Sequence, residues 1–513
     1  MRFSAKPYAG SIALLIFITT LLHLVLAFVL PLGNDEVYYW TYALHPAWSY
    51  FDHPPMVGWL IWLTTLGTHL HQELFVRLGA VLCSALTMYV VYDTGRMVRN
   101  ERTGWIAALC YACALYSSIL AGVFILPDSP QILFWWLALR SLLRIANDDT
   151  DKPLAWLAFG IWTGLATLSK IHGIFLWMGA ALYLLLFRRK TLKNPYVYVA
   201  AGITLICIIP ILIWNVQHHF ITYTYHSQRV DVAQSHIHLN YFVTEILGEC
   251  FYHHPLLYIL TWICLIQIFR KKFQALTPQT IRILLSCSLP LIGILLGISL
   301  FRSILPHWSG PAYSSLLLLV AAYIDARHVS EKKFPVVIRW VMSIFLVIIL
   351  GGCWMIMDYP GTVGSHDPME YGSGDFTLDM YGWRKISQQF QQVYQHDVQE
   401  GRMPKDAFIV AGKWFPLAHE QFYISYYTHQ PMQGIGAIDD LHEYAIWRPQ
   451  PRQLKPGDDA YCIVPSNYYF DVYATYGPLF QHIDTPMVIP QYRGGRLARK
   501  FFIYRLHHFQ TLH

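Results

Sequence analysis

The chain has 513 residues, 55% of them hydrophobic and only 13% charged, with a mean hydropathy of +0.35. Soluble domains carry about 25% charged residues, so this composition excludes a wholly soluble globular protein. The net charge of +6 resides in short basic clusters between apolar runs, a pattern of membrane topology rather than of a nucleic-acid surface.

The first apolar run, Ser11 to Leu30, follows Arg2 and Lys6. It is longer than a signal-peptide core and no small-residue cleavage site follows it, so it reads as an uncleaved span. Apolar runs recur to Met357, and about 20 residues cross a bilayer as a helix. Eleven spans are predicted, at approximately 11–31, 74–94, 105–125, 131–147, 154–169, 172–187, 196–214, 254–269, 282–300, 309–325 and 336–356. The shorter run Met56 to Leu66 reads as an interfacial helix.

Basic residues alternate between loops. One set holds Arg2 and Lys6; Arg96, Arg99 and Arg102; Arg188, Arg189, Lys190 and Lys193; Arg270, Lys271 and Lys272; Arg327, Lys332 and Lys333. The other holds mainly Arg77, Lys170, Arg229 and Arg302. The positive-inside rule makes the first set cytoplasmic. With an odd span count the tail is then extracytoplasmic. The expected location is the bacterial cytoplasmic (inner) membrane, multi-pass, with the active site and tail outside. Cys83, Cys110, Cys113, Cys207, Cys264, Cys287 and Cys353 lie in apolar runs as small hydrophobes. Cys250 and Cys462 are too few for a disulfide framework.

After Asp358 the apolar runs stop, which predicts a membrane domain, 1–357, and a C-terminal domain, 358–513. The tail reads as a small α/β domain. Strands are expected at Ala407–Ala411, Tyr461–Val464 and Phe501–Leu506, and a helix over Pro416–Tyr427 with proline in its first turn.

Ionisable residues at membrane depth are costly and mark function. Here they collect in the loops of one side. The first outer loop, about 32–73, carries Asn34, Asp35, Glu36, Asp52 and His53; the next ones carry Asp128, then Lys170 with His172, then the segment WNVQHH with Asn215, then Arg302 with His307. Each has a plainer reading. Asp35 and Glu36 are either an interfacial acid pair or a partly desolvated general base and cation ligand beside Tyr38, Tyr39 and Trp40. Asp128, two residues before Pro130, is also an ordinary helix start. His53, in a turn stiffened by two prolines, is also a packed histidine. Lys170 and Arg302 either snorkel outward or meet a phosphate. Convergence on one leaflet favours a phosphorylated lipid substrate. No Walker motif, GxGxxG or nucleophile elbow is present, against an ATP-driven pump, a nucleotide-sugar enzyme and a serine hydrolase.

The run DEVYYWTYALHPAWSYFDHPPMVGWLI strongly resembles the first outer loop of bacterial family 39 type glycosyltransferases, the GT-C group of protein O-mannosyltransferases and lipid A aminoarabinose transferases. LPDSPQILFWWLALR, GLATLSKIHGIFL, PILIWNVQHHF and LPHWSGPAYSSLLLL support the resemblance across the membrane domain; YGWRKI and AGKWFPLAHEQFYISYY carry it weakly into the tail. It implies an α-helical GT-C membrane protein that transfers a sugar from a polyprenyl-phosphate donor with inversion. Asp35 is then the base, with Glu36 beside it, and Asp128 positions the acceptor or a cation. His53 matches the histidine of the HPP segment, and Lys170 a residue contacting the lipid phosphate. Tyr39, His172, Asn215 and Arg302 are further candidates for substrate binding. The expected cofactor is a divalent cation, Mg or Mn, with Asp35 and Asp128 as ligands, and no nucleotide. Expected partners are the donor, a glycolipid, polysaccharide or protein acceptor, and the bilayer, with no nucleic acid. The alternative is a glycolipid transporter or flippase, which would place its polar residues at the midplane and show internal repeats.

Overall fold

The computed structural model describes residues 6–147, 153–230, 236–327, 335–447 and 452–510. Among the basic residues read as cytoplasmic, Arg2, Lys332 and Lys333 lie outside the described residues, as do the side chains of Lys6 and of Arg229 in the opposite set. The chain divides into two compact units, Met1–Phe28 with Tyr42–Val347, and Val29–Thr41 with Ile348–His513. The second unit therefore begins earlier than Asp358 and takes in a piece of the first outer loop.

The apolar part of the chain is helical. Its helices are α1 (Lys6–Val29), α2 (Asn34–Leu44), α3 (Met56–Thr64), α4 (Glu73–Val98), α5 (Glu101–Cys113), α6 (Asp128–Asn147), α7 (Pro153–Ser169), α8 (Phe175–Phe187), α9 (Pro195–Gln217), α10 (Ile221–Val230), α11 (Leu239–Tyr252), α12 (Pro255–Phe269), α13 (Pro278–Ser299), α14 (Gly310–Arg327) and α15 (Val336–Met357). Ten of the eleven predicted spans fall on one of these helices, and α3 is the expected short helix. By length and composition, α1, α4, α9, α13 and α15 can each cross a membrane, and α11 with α12 would make a sixth, bent by 106°. The run 105–125 departs from a single helix. It stops at Cys113 and resumes as a π-helical turn, Tyr116–Leu120. Ser117 drives the break, its hydroxyl donating to the Tyr111 and Ala114 carbonyls.

Capping explains the helix starts. Asn100, Asn194 and Thr277 accept from the backbone N–H of Thr103, Tyr196 and Thr280, and Pro195 and Pro278 sit at the first helical positions. Helices α7 and α9 meet through Gly160 and Gly164. A Cβ at Gly160 would lie 2.4 Å from the Ala200 carbonyl oxygen, and one at Gly164 2.6 Å from Cys207 Cβ. Trp135 and Trp136 of α6 donate to Ser315 and Ser314 of α14, each at 2.8 Å. Arg77, counted above among the exceptions to the basic-loop pattern, is buried, donates to the Ala27 carbonyl and lies over Phe124.

The second unit carries a six-stranded sheet: β1 (Phe408–Ala411), β2 (Met432–Gly434), β3 (Ala460–Pro465), β4 (Phe480–Ile483), β5 (Met487–Arg493) and β6 (Arg496–Phe509). The order is β2-β1-β3-β6-β4, with β5 also on β6. β1 runs parallel to both β2 and β3, and β6 is antiparallel to its partners. Helix α16 (Trp383–Gln399) buries Trp383, Ile386, Phe390 and Tyr394 along one face. Its Asp397 pairs with Arg505 at 2.6 Å and accepts from Tyr461. Helix α17 (Trp414–Glu420) continues through a π turn to Thr428, with Pro416 in its first turn as the sequence predicts.

Glu420 of α17 is fully buried, and neither carboxyl oxygen has a hydrogen-bond partner among the described residues. Burial raises its pKa well above the ordinary carboxylate range. A raised carboxyl pKa contributes stability that is present below the unfolded value and lost as pH rises through the folded one. Glu420→Met keeps the volume and removes the unpaired group. It is expected to stabilise the tail by about 1–3 kcal/mol, and to flatten the decline of stability with rising pH. Hydrogen exchange of tail peptides between pH 6 and 9, in the intact chain, measures both effects.

Candidate active site

The segment LPDSP does begin a helix. Ser129 Oγ accepts from the Leu126 N–H and donates to the Phe124 carbonyl, and Asp128 opens α6. Asp128 does more than start it. The side chain is 2% exposed, its Oδ2 accepts from Lys170 Nζ at 2.8 Å, and its Oδ1 accepts from Tyr116 Oη at 3.0 Å. The N-terminal end of α6 favours the carboxylate. Lys170 is 3% exposed, so it does not snorkel outward. It precedes the tight turn Ile171–Ile174, where a Cβ on Gly173 would come within 2.4 Å of the Ala166 backbone. Only glycine lets that turn lie against the end of α7.

Three histidines lie near enough to feel this pair. His53, His172 and His307 each sense the charges of both Lys170 and Asp128. His53 lies 6.3 Å, ring to ring, from His226 of α10, whose Nε2 bonds the Asp52 carbonyl at 2.9 Å. His172 lies 5.7 Å from the Trp308 ring. Burial lowers His53 to about 4, with Asp52 opposing and Lys170 reinforcing; burial likewise lowers His307 to about 4. At neutral pH the imidazoles are uncharged, and the group holds one cation, one anion and several N–H donors. Ammonium and imidazole N–H are donors that suit a phosphate.

A second layer lies behind the pair. The Tyr116 ring is 5.8 Å from His253, and His253 stacks on Tyr313 at 4.5 Å. Tyr313 and Tyr258 both donate to Glu249 Oε2, at 2.9 and 3.2 Å. Glu245, one turn away on α11, is also buried. Tyr116, His226, His253, Tyr258, Tyr313, Glu245 and Glu249 are not among the candidates that the sequence singles out. The acids interrupt the apolar pattern of α11, which hid both the helix and its buried face. The available signal was the crowding of histidines in the loops of one side.

The remaining candidates are placed elsewhere. Asn215 is buried at the end of α9 and donates to the Ile211 carbonyl, while its Oδ1 has no partner among the described residues. Arg302 is exposed at the turn after α13. Asp35, Glu36 and Tyr39 belong to the second unit. Glu36 is buried and its Oε2 accepts from the Gly33 N–H at 2.9 Å, closing the first turn of α2. Tyr39 is buried with its ring 5.8 Å from Tyr38. Asp35 is exposed, contrary to the partly desolvated position expected, because the buried face of α2 is taken by Glu36 to Trp40. Among the described residues no group of three or more His, Cys, Asp or Glu side chains is arranged to hold a metal. Asp128 already uses both oxygens on Lys170 and Tyr116. The described residues thus offer no ready ligand set for the Mg or Mn ion expected from the sequence.

Residues 52–214 match the family model described as dolichyl-phosphate-mannose-protein mannosyltransferase. Lipid A galacturonosyltransferase RgtD of Rhizobium johnstonii is 28% identical over 185 residues, covering 36% of this chain and 38% of that protein. The match therefore spans well under half the length of this relative. In structure the chain is similar to ArnT from Cupriavidus metallidurans in the apo state (TM-score 0.62, 14% identity, 96% of this chain and 98% of that one). It is equally similar to the same protein bound to undecaprenyl phosphate (TM-score 0.63, 15% identity, 98% of both chains). At this identity the likeness is one of fold, a GT-C membrane domain followed by a small sheet domain.

Proposed function

We propose that this chain, a GT-C glycosyltransferase of the family 39 type, moves a sugar from a polyprenyl-phosphate donor to an acceptor on the outer face of the cytoplasmic membrane. The observation that carries the reading is the buried Asp128–Lys170 pair, whose charges reach His53, His172 and His307; all but His307 lie in the stretch that matches the family model. In this reading Lys170 and the neutral imidazoles take the donor phosphate. Asp35 removes the proton of an acceptor hydroxyl or amine. The acceptor attacks the anomeric carbon from the face opposite the phosphate, the carbon–oxygen bond to phosphate breaks, and polyprenyl phosphate leaves. The configuration inverts, and charge developing on the phosphate is met by fixed donors. The relative that acts on lipid A favours a glycolipid acceptor over a polysaccharide or protein. Nothing in the fold or the relatives favours a transporter. The test is release of undecaprenyl phosphate from a panel of undecaprenyl-phosphate sugars by the purified chain with lipid A as acceptor. No release from any donor would discard the reading.

The outer-face assignment rests on the alternation of basic loops. An alkaline phosphatase fused after His513 is expected to be active in cells, and a cytoplasmic reporter at the same point silent. The reverse pattern would invert the topology.

A further inference from the structure

We propose that the second unit is the mount of the acidic helix: His419, Asp379, Tyr468 and Tyr423 hold Leu32 to Asn34 and so set the direction of the Asp35 carboxylate. This rests on the reading of Asp35 as the base. The second unit is then a positioning device for the reaction.

The contacts fall on consecutive residues. The Leu32 N–H donates to Tyr423 Oη at 3.0 Å. The Gly33 N–H is taken by Glu36. Asn34 Oδ1 bonds His419 Nε2 at 2.9 Å. The Asn34 side chain also lies beside Asp379 and Tyr468, and Tyr468 donates to Asp379 at 2.7 Å. One turn on, Tyr38 Oη accepts from the Glu443 N–H at 3.2 Å and the Trp40 ring meets Phe422 edge-on at 4.9 Å.

The polarity of these bonds is consistent. His419 is buried, and burial keeps it uncharged, so its one N–H is the donor to the Asn34 carbonyl oxygen. The Asn34 amide is then turned toward the Asp379 and Tyr468 oxygens. The His419 ring cannot swing away, because Trp383 stacks on it at 4.1 Å, 3° from parallel, and Arg499 covers the far face of Trp383 at 4.9 Å. Asn34, the residue before Asp35, is thus held at its carbonyl end by a fixed ring, with its amide end beside Asp379 and Tyr468.

His419 stands on α17, which follows β1, and Tyr468 stands in the turn Ser466–Tyr468, which follows β3. β1 and β3 are parallel neighbours. Open α/β sheets hold their ligands at the carboxyl ends of such strands. Residues that follow β1 and β3 here meet Asn34 at the start of the chain's own acidic helix.

His419→Ala in the intact chain removes the donor to Asn34. Misplacing a reacting group by about 1 Å costs up to about 100-fold. The expected result is a 10- to 100-fold fall in kcat, with KM for the donor and affinity for undecaprenyl phosphate little changed. Hydrogen exchange across residues 33–40 should become faster. His419→Gln restores an N–H donor and should recover most of kcat. Tyr423→Phe, which leaves the sheet intact, should give a smaller fall and the same local exchange, should His419→Ala unfold the tail. Wild-type kcat and protection in both His419→Ala and Tyr423→Phe would overturn the proposal. Asp35→Asn in the same assay separates the two readings. If Asp35→Asn is fully active, or if wild type uses no donor, the base assignment or the function fails, and exchange at residues 33–40 still decides whether the mount exists.

Discussion

Asp35→Asn will lower sugar transfer by about 10²–10⁴-fold and leave membrane insertion, yield and undecaprenyl phosphate binding near wild type. The side chain stands exposed in the first turn of α2, where the helix dipole favours a negative charge. An ionised carboxylate accepts protons and asparagine does not, while the two have nearly the same volume. Glu36 is the control. Its carboxyl is buried and accepts from the Gly33 N–H. The carbonyl oxygen of Gln can accept the same bond, so Glu36→Gln should stay within about tenfold of wild type. An Asp35→Asn enzyme with more than about a tenth of wild-type turnover would remove Asp35 from the base role. A Glu36→Gln enzyme that falls as far as Asp35→Asn would show that the loop shape, not the proton, was being measured.

Much of the helical architecture was legible because a bilayer imposes one demand, a long apolar run, and a sequence displays that run directly. The failures share a cause. α11 was missed because Glu245 and Glu249 break its apolar pattern, although both acids are buried. The π turn after α5 was missed because Ser117 acts through hydrogen bonds that hydropathy does not register. In the tail, β1, β3 and β6 read from β-branched and aromatic runs, whereas β2 is only three residues long, β4 (Phe480–Ile483) has polar residues at its centre, and β5 carries Pro490 inside it. At the candidate site, residue types were legible but partners were not. Asp128 and Lys170 are 42 residues apart, and a single sequence holds nothing that pairs them. The exposed or snorkelling positions offered to Lys170 were the plausible ones for a lone cation, and burial became intelligible only with its counter-ion. The grouping of Val29–Thr41 with the tail was invisible for the same reason, since His419 and Asn34 are 385 residues apart.

The pairing of Lys170 with Asp128 changes what a substitution there will do. Were Lys170 a lone snorkelling cation, Lys170→Met would fold normally and lose only a surface charge. Instead it leaves the Asp128 carboxylate buried with Tyr116 as its remaining bonded partner. Breaking a buried pair by removing one partner costs about 3–5 kcal/mol. Lys170→Met and Asp128→Asn, each alone, should therefore show lower yield and a lower unfolding temperature in detergent. Removing both charges together deletes the interaction without stranding either partner, an exchange that is often neutral. The double variant Lys170→Met, Asp128→Asn should thus recover stability to within about 1 kcal/mol of wild type. Function will not recover with it if Lys170 serves the donor. A charge-assisted hydrogen bond contributes about 1.5–3 kcal/mol, so the stable double variant should bind undecaprenyl phosphate about 10- to 100-fold more weakly. Phosphate entering the wild-type site must also compete with Asp128 for the ammonium, so Asp128→Asn, where it folds, should bind undecaprenyl phosphate more tightly than wild type. A double variant that is both stable and wild-type in binding would make the pair a structural tie between α6 and the turn after α7. The phosphate would then have to be sought among the histidines, with His53→Ala the next variant to titrate.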